Sequence, residues 1–202
     1  TREILDALNE KIARLVYLST AGVYGAQVDV GEHTPAQPRT PRERLRADAE
    51  RQALAGPWSA MVLRPAAIYG PGRGIHISMI RGDFLLLGDG SNYVSRIHVD
   101  DLATLAEAAL LSPHTGAWPV ADLEPARSRD IARYCADLLG LPMPRSASAE
   151  ELGETRRANR RVDGRAVFRL LQVPLKYESY RTGIPAALAE EAGGDFALQS
   201  RT

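Results

Sequence analysis

Arg42, Arg46 and Glu50 stand one helical turn apart, which puts two guanidinium groups and a carboxylate on one helix face. A guanidinium stays protonated across physiological pH, so neither arginine can trade protons as an ordinary acid or base; the planar fork suits carboxylate and phosphate instead. The same arginines, with Arg44 and Arg51, also fit a solvated face balanced by Glu43, Asp48 and Glu50. Proton carriers are few. Tyr24 and Tyr69 lie in VYG and IYG turns, His76 follows a glycine loop and His98 closes a strand, and each has a packing or local hydrogen-bonding explanation beside a chemical one. Asp100 and Asp101 are adjacent at a helix start and cannot face each other, so capping explains them better than a catalytic carboxylate pair. Arg156, Arg157, Arg160 and Arg161 could close over an anion or form an exposed basic helix end. Cys135 keeps helical register with Ile131, Leu138 and Leu139 and reads as core, and no cysteine and histidine spacing fits a metal site.

The elements that must position these groups follow from periodicity and turn chemistry. Ile4, Leu5 and Leu8 predict a short helix, residues 12–18 a buried strand, and Thr40-Pro41 the start of a helix running to about Leu54. Residues 59–63 predict a second buried strand, closed by Arg64-Pro65 and the turn-rich segment 69–72. Helix followed by strand, twice, is the rhythm of crossovers in a parallel sheet, so the class is α/β. Ligands of open α/β sheets gather at the carboxyl ends of strands, where Thr20 and Pro65 both fall, so these two ends should face one crevice. Segments 84–87 and 93–99 flank Gly88-Asp89-Gly90, which favours a hairpin or a return loop in a smaller substrate-side lobe. Asp100 and Asp101 should cap a helix through Leu111; a strand at 118–121 and a helix at 128–139, ended by Gly140 and Pro142, follow. From Ala149 the chain reads as helical and arginine-rich. The expected layout is a sheet domain of residues 1–75 and 100–125, a small lobe of 76–99 and 126–191, and a flexible tail at 192–202.

Composition narrows the partners. The 202 residues carry 25 acidic and 25 basic side chains, a balance that offers no field for nucleic acid or an anionic membrane. No apolar run approaches the roughly 20 residues of a bilayer span. Cys135 is the single cysteine and the start has no signal-peptide pattern, so a reduced, cytoplasmic protein with a small-molecule substrate is expected.

Four segments, in order, resemble the extended short-chain dehydrogenase/reductase superfamily of nucleotide-sugar epimerases and dehydratases: LVYLSTAGVYG at 15–25, LRPAAIYGPGRG at 63–74, GDG at 88–90 and RIHVDDLA at 96–103. The likeness continues through VADLEP at 120–125 and ANRRVDGR at 158–165, and is greatest to the atypical branch of NAD-dependent epimerase/dehydratase proteins. It implies an incomplete Rossmann-like, doubly wound parallel sheet with a small C-terminal α/β substrate lobe. It implies that Thr20 hydrogen-bonds a substrate carbonyl or alcohol, that Leu18, Ser19, Arg64 and the loop Pro65, Ala66, Ala67, Ile68 lie against the nicotinamide side, and that the protein pairs as a homodimer. The alternative is that Ser19 and Thr20 merely cap the loop after their strand. The superfamily's tyrosine and lysine fall on Arg42 and Arg46, with the following glutamate kept as Glu50. Tyr24 is then the first substitute for the missing acid, and Arg46 could hold ribose hydroxyls or an anionic substrate group. Tyr69, Arg96 and Arg161 are the substrate-side candidates. The arginine that grips a diphosphate in the family falls on Val94; strand alternation puts Val94 and Arg96 on one face, so the site is either shifted to Arg96 or lost, and with it a nucleotide-sugar substrate.

No GxGxxG or similar turn occurs, so the phosphate cradle of a dinucleotide is absent from these residues. NAD or NADP is therefore expected of the intact family fold rather than of this chain alone, and the missing first part of that fold implies either a longer protein or a natural truncation. Three activities remain open: an NAD(P)-dependent epimerase, dehydratase or reductase on a sugar-like or small hydroxy/carbonyl substrate; an inactive dinucleotide sensor or scaffold; and a non-redox enzyme reusing the cavity without cofactor.

Overall fold

A computed structural model describes residues 2–8 and 11–199. Helix α1 (Arg2–Leu8) leads to strand β1 (Arg14–Leu18), a 3-10 turn (Ala21–Tyr24), β2 (Asp29–Val30) and helix α2 (Pro41–Ala55). Then come β3 (Ser59–Pro65), β4 (Ala67–Tyr69), α3 (Ile75–Ile80), β5 (Leu86–Leu87), β6 (Tyr93–Val94), β7 (Arg96–His98) and α4 (Val99–Leu111). The chain continues through β8 (Gly116–Val120), β9 (Ala126–Arg127), α5 (Ser128–Leu139), β10 (Ser146–Ala147), a 3-10 turn (Glu154–Arg157), β11 (Arg161–Val162), α6 (Arg165–Leu171) and α7 (Tyr180–Gln199).

The centre is a three-stranded parallel sheet in the order β1-β3-β8. Its middle strand buries Ala60, Met61, Val62 and Leu63 in succession, the unbroken apolar run of a strand covered on both faces. On one face Met61 and Leu63 meet Leu102, Leu105 and Ala109 of α4 and Val167 and Phe168 of α6. On the other lies α2, a polar helix that buries only Ala49, Glu50 and Ala53. With so little apolar surface, α2 depends on its start. Thr40 Oγ1 accepts from Glu43 N at 3.3 Å and Glu43 Oε2 accepts from Thr40 N at 3.0 Å, a reciprocal cap with Pro41 in the first turn. Helices on both faces of a parallel sheet make the fold α/β and doubly wound, as expected.

A second core joins Ile75 and Met79 of α3, Leu86, Ile131, Ala132 and Cys135 of α5, and Tyr180 and Ile184 of α7. Helix α5 ends at Gly140, as its sequence predicts, and Cys135 is fully buried, its thiol pushed up to about 11 by desolvation.

Several expectations are corrected. The segments around Gly88-Asp89-Gly90 form no hairpin: β5 pairs in parallel with β10, and β6 pairs antiparallel with β9, so the turn is the return-loop alternative. Gly90, at φ 72°, is held there because a Cβ would lie 2.8 Å from that of Arg129. The cap of α4 is His98, whose Nδ1 accepts from Asp100 N at 3.2 Å, rather than Asp100 or Asp101. Asp101 instead accepts from the backbone N–H groups of Lys176 and Tyr177, at 2.7 and 3.0 Å, tying down a distant loop. Past Ala149 the helical chain is interrupted: a 3-10 turn, β11 and the seven-residue α6 precede the 20-residue α7. Helix α6, placed with the lobe by sequence, packs on the sheet because Val167 and Phe168 complete the α4 face. The tail proposed at 192–202 is helical through Gln199, and 200–202 lie outside the described residues.

Candidate functional site

Parallel register aligns the strand ends. Leu18 pairs with Leu63 and Pro65 with Val120, so the chain leaves three neighbouring strands at Ser19, Ala66 and Ala121. Backbone bonds carry the ladder one step further: Ser19 N donates to Leu63 O at 2.8 Å and Ala66 N to Val120 O at 2.9 Å. Thr20 then opens the 3-10 turn, its Oγ1 accepting from Gly22 N at 3.1 Å. The capping alternative is thus realised, yet the hydroxyl proton has no acceptor among the described residues and stays available to donate. Ser19 Oγ is buried without a hydrogen-bond partner. Of the two, Thr20 Oγ1 is the hydroxyl that can offer a donor at the carboxyl end of β1.

Behind this crevice, Arg64 and Glu50 form a buried fork-to-fork pair. Arg64 Nε donates to both Glu50 oxygens at 3.1 Å and Nη2 to Oε2 at 2.7 Å, while Nη1 donates to Tyr24 Oη at 3.3 Å. The guanidinium also lies 5.0 Å from the Tyr24 ring centre. This changes two expectations. Arg64 is committed to the protein rather than to a cofactor, and Tyr24, fully buried, is a structural partner rather than the replacement acid. Burial pushes its phenol up, against the opposing pull of Arg64. On the helix face that carries Glu50 inward, Arg42 and Arg46 climb out to solvent.

Ala67 and Ile68, immediately past the strand-end loop, begin a cavity of about 200 Å³. Its walls are apolar at Ile75, Phe84 and Leu87, and its polar groups include Arg96, Asn92 and Ser128. Val94 and Arg96 line it together, as strand alternation predicts. Arg96 is 7 % exposed, and its side chain reaches only Val94 O, at 3.5 Å, with no ion-pair partner among the described residues. Burial works against its charge. Asn92 donates to Ala158 O at 2.9 Å and keeps Oδ1 buried and unpartnered. Tyr69 also lines the cavity, but its hydroxyl turns to Ser179 O at 3.3 Å, and burial pushes the phenol up.

Arg161 does not line this cavity: Asp29 takes its fork at 2.7 and 3.0 Å while the guanidinium stacks 4.8 Å from the Tyr93 ring centre. Its neighbours mostly hold backbone carbonyls, Arg156 that of Asp83, Arg157 that of Leu152, and Arg160 those of Gln27 and Gly25. Only Arg156 also reaches the cavity wall. His98 caps α4 and packs against Tyr69 and Tyr177. His76 is wholly buried with neither ring nitrogen hydrogen-bonded, Glu191 Oε1 lying 3.8 Å from Nε2, and burial depresses its basicity. A larger open hollow of about 520 Å³ beside Asp29, His33 and Asp163 touches none of the ends of β1, β3 and β8, and Arg161 and Arg165 already engage its two aspartates. No cluster of three or more His, Cys, Asp or Glu side chains among the described residues is placed to hold a metal, and no helix among them is long and apolar enough to cross a membrane.

Sequence reasoning passed over Asp122. It lies two residues beyond β8, 2 % exposed, with Oδ1 accepting from Glu124 N at 3.2 Å and Oδ2 unpartnered, and desolvation pushes its carboxyl up to about 7. Its position at a strand's carboxyl end was the available signal.

Comparison with known proteins agrees with this geometry. A family model described as the NAD dependent epimerase/dehydratase family matches residues 1–120. Among solved structures, a conserved protein of unknown function from Silicibacter pomeroyi DSS superposes with a TM-score of 0.80 at 35 % identity, covering 94 % of this chain and 71 % of that one. MoeE5, solved with UDP-glucose and NAD, has the same fold at a TM-score of 0.80 and 20 % identity, over 96 % of this chain and 70 % of that one. A 3-diazoavenalumate denitrifying reductase from Streptomyces sp is 34 % identical over 109 residues, 51 % of this chain. The aligned part is 36 % of that relative, so the chain matches about a third of its length.

Proposed function

The chain belongs to the NAD dependent epimerase/dehydratase family, and from that premise we propose that its strand-end crevice is the nicotinamide side of an NAD(P)-dependent enzyme converting a small hydroxy/carbonyl substrate. The observation that carries the reading is continuity. Ala66 packs against the cluster holding Ala21 and Tyr24, next to Thr20, and the following Ala67 and Ile68 line the cavity. A group bound at the strand ends therefore abuts a ligand held in the cavity. The cofactor of MoeE5 and the reductase name of the Streptomyces relative support the same chemistry.

Leu18, Ser19, Pro65, Ala66 and Ile68 would hold the nicotinamide, which supplies a hydride donor or acceptor when bound. Thr20 Oγ1 would donate a hydrogen bond to the substrate oxygen and stabilise the charge that develops there, with water supplying the proton that completes the alcohol. Arg46, exposed on α2, is free to reach ribose hydroxyls. Arg42 stays protonated and cannot serve as the acid, and Arg64 and Glu50 fix the floor. Dinucleotide calorimetry on the full-length protein, followed by carbonyl reduction assays, tests this reading. Binding with turnover that falls at least about 100-fold in Thr20→Val is expected, the scale of losing one donor to a developing oxyanion. The sequestered Tyr24 favours a second reading, a dinucleotide sensor, and binding without turnover of any carbonyl would select it.

A further inference from the structure

Arg96 is a buried guanidinium with no ion-pair partner among the described residues. A guanidinium almost wholly removed from water normally meets a carboxylate, because an uncompensated buried charge is strongly unfavourable. Here the side chain has one long bond to Val94 O. Asp122 is close enough to influence it but forms no ion pair, and keeps its own Oδ2 unpartnered. Arg96 also lines a cavity, so a ligand can reach it. The cavity's other features restrict that ligand. About 200 Å³ lies below the roughly 300–1,000 Å³ usual for drug-sized ligands. Ile68, Ile75, Phe84, Leu85 and Leu87 offer apolar walls, and Asn92 Oδ1 offers one unused acceptor. One buried cation balances one negative charge. A phosphate monoester or diphosphate would bring more charge than Arg96 can neutralise; Arg156 at the wall keeps its charge, since Asp83 O is a neutral acceptor, but it is exposed and screened by water.

We infer that Arg96 anchors the carboxylate of a small, apolar-bodied monocarboxylate, which occupies the cavity with its reactive carbon toward Ala67 and Ile68. This names the substrate class of the proposed enzyme and rests on that reading for the reaction, though not for binding. The fork receives both carboxylate oxygens, and a hydroxyl or amine on the ligand donates to Asn92 Oδ1.

The test is ligand-observed NMR on the full-length protein without cofactor, using 3-phenylpropanoate, its neutral amide, phenyl phosphate and UDP-glucose as probes. The carboxylate is expected to bind at least about 30-fold more tightly than the amide, the scale of one charge-assisted bond. Arg96→Met should abolish that preference while remaining folded, because an apolar side chain of similar volume replaces a buried charge. Arg96→Lys should keep part of it. Equal binding of carboxylate and amide by the native protein overturns the inference whether or not the variants fold. So does preferential binding of phenyl phosphate or UDP-glucose, or unchanged carboxylate binding by Arg96→Met. Dinucleotide calorimetry runs in parallel: carboxylate selectivity without dinucleotide binding retains the anchor and removes the redox reading, whereas dinucleotide binding without selectivity does the reverse.

Discussion

Replacing Glu50 by Ala should be among the most damaging single changes in the sheet domain. Glu50 and Arg64 side chains are 3 % and 11 % exposed, and three contacts of 2.7–3.1 Å join them. Losing the carboxylate leaves Arg64 buried with the Tyr24 hydroxyl at 3.3 Å as its remaining side-chain partner. Breaking such a pair from one side costs about 3–5 kcal/mol. At about 2–4 °C per kcal/mol for a domain of this size, the midpoint should fall by about 6–20 °C. Urea and thermal unfolding of the native protein, Glu50→Ala, Arg64→Met and the double variant Glu50→Leu/Arg64→Met close the argument. The double variant should recover most of the loss, because it removes both charges and refills the volume. A Glu50→Ala loss under about 1 kcal/mol, or a double variant as unstable as the sum of the singles, would refute the reasoning.

Asp122 should make stability fall as pH rises. Its folded pKa of about 7 lies above the ordinary value of 3.8, so the folded state holds the proton more tightly than the unfolded chain. The contribution is full below about pH 4 and is lost as pH climbs to about 7, by at most about 4 kcal/mol at 1.36 kcal/mol per unit. The native minus Asp122→Asn difference in unfolding free energy, measured from pH 4 to 8, should carry that slope; a flat difference contradicts it. Gly164→Ala should destabilise by about 1–3 kcal/mol in urea titrations, as overpacking does. Its Cβ would lie 2.3 Å from Ala121 N and 2.7 Å from Ala121 O, backbone atoms that cannot rotate aside. A neutral substitution would mean that α6 does not seat against β8 as described.

Elements with a local cause were legible in the sequence. The cap at Thr40, the turn at Gly140 and the apolar run of β3 each needed only their own neighbours. The alignment of Thr20 with the Pro65 loop also followed, since parallel crossovers place strand ends side by side. What escaped depends on residues far apart. Tyr24 looked available until Arg64, 40 positions away, took its hydroxyl. Asp101 resembled a cap until Lys176 and Tyr177 claimed it. Arg161 and Arg96 are both arginines in strands, and only the pairing of β11 with β2 shows that Asp29 neutralises the first while the second faces a cavity unmatched.

The central claim is that the crevice at Thr20 supports hydride exchange between a nicotinamide and a ligand of the adjoining cavity. Incubating the full-length protein with cofactor deuterated at the reactive ring carbon and a panel of oxo-carboxylates, then weighing the products by mass spectrometry, tests it most directly. The account predicts one deuterium in a hydroxy-carboxylate product, lost in Thr20→Val; products without label, from a protein shown to bind the dinucleotide, would contradict it.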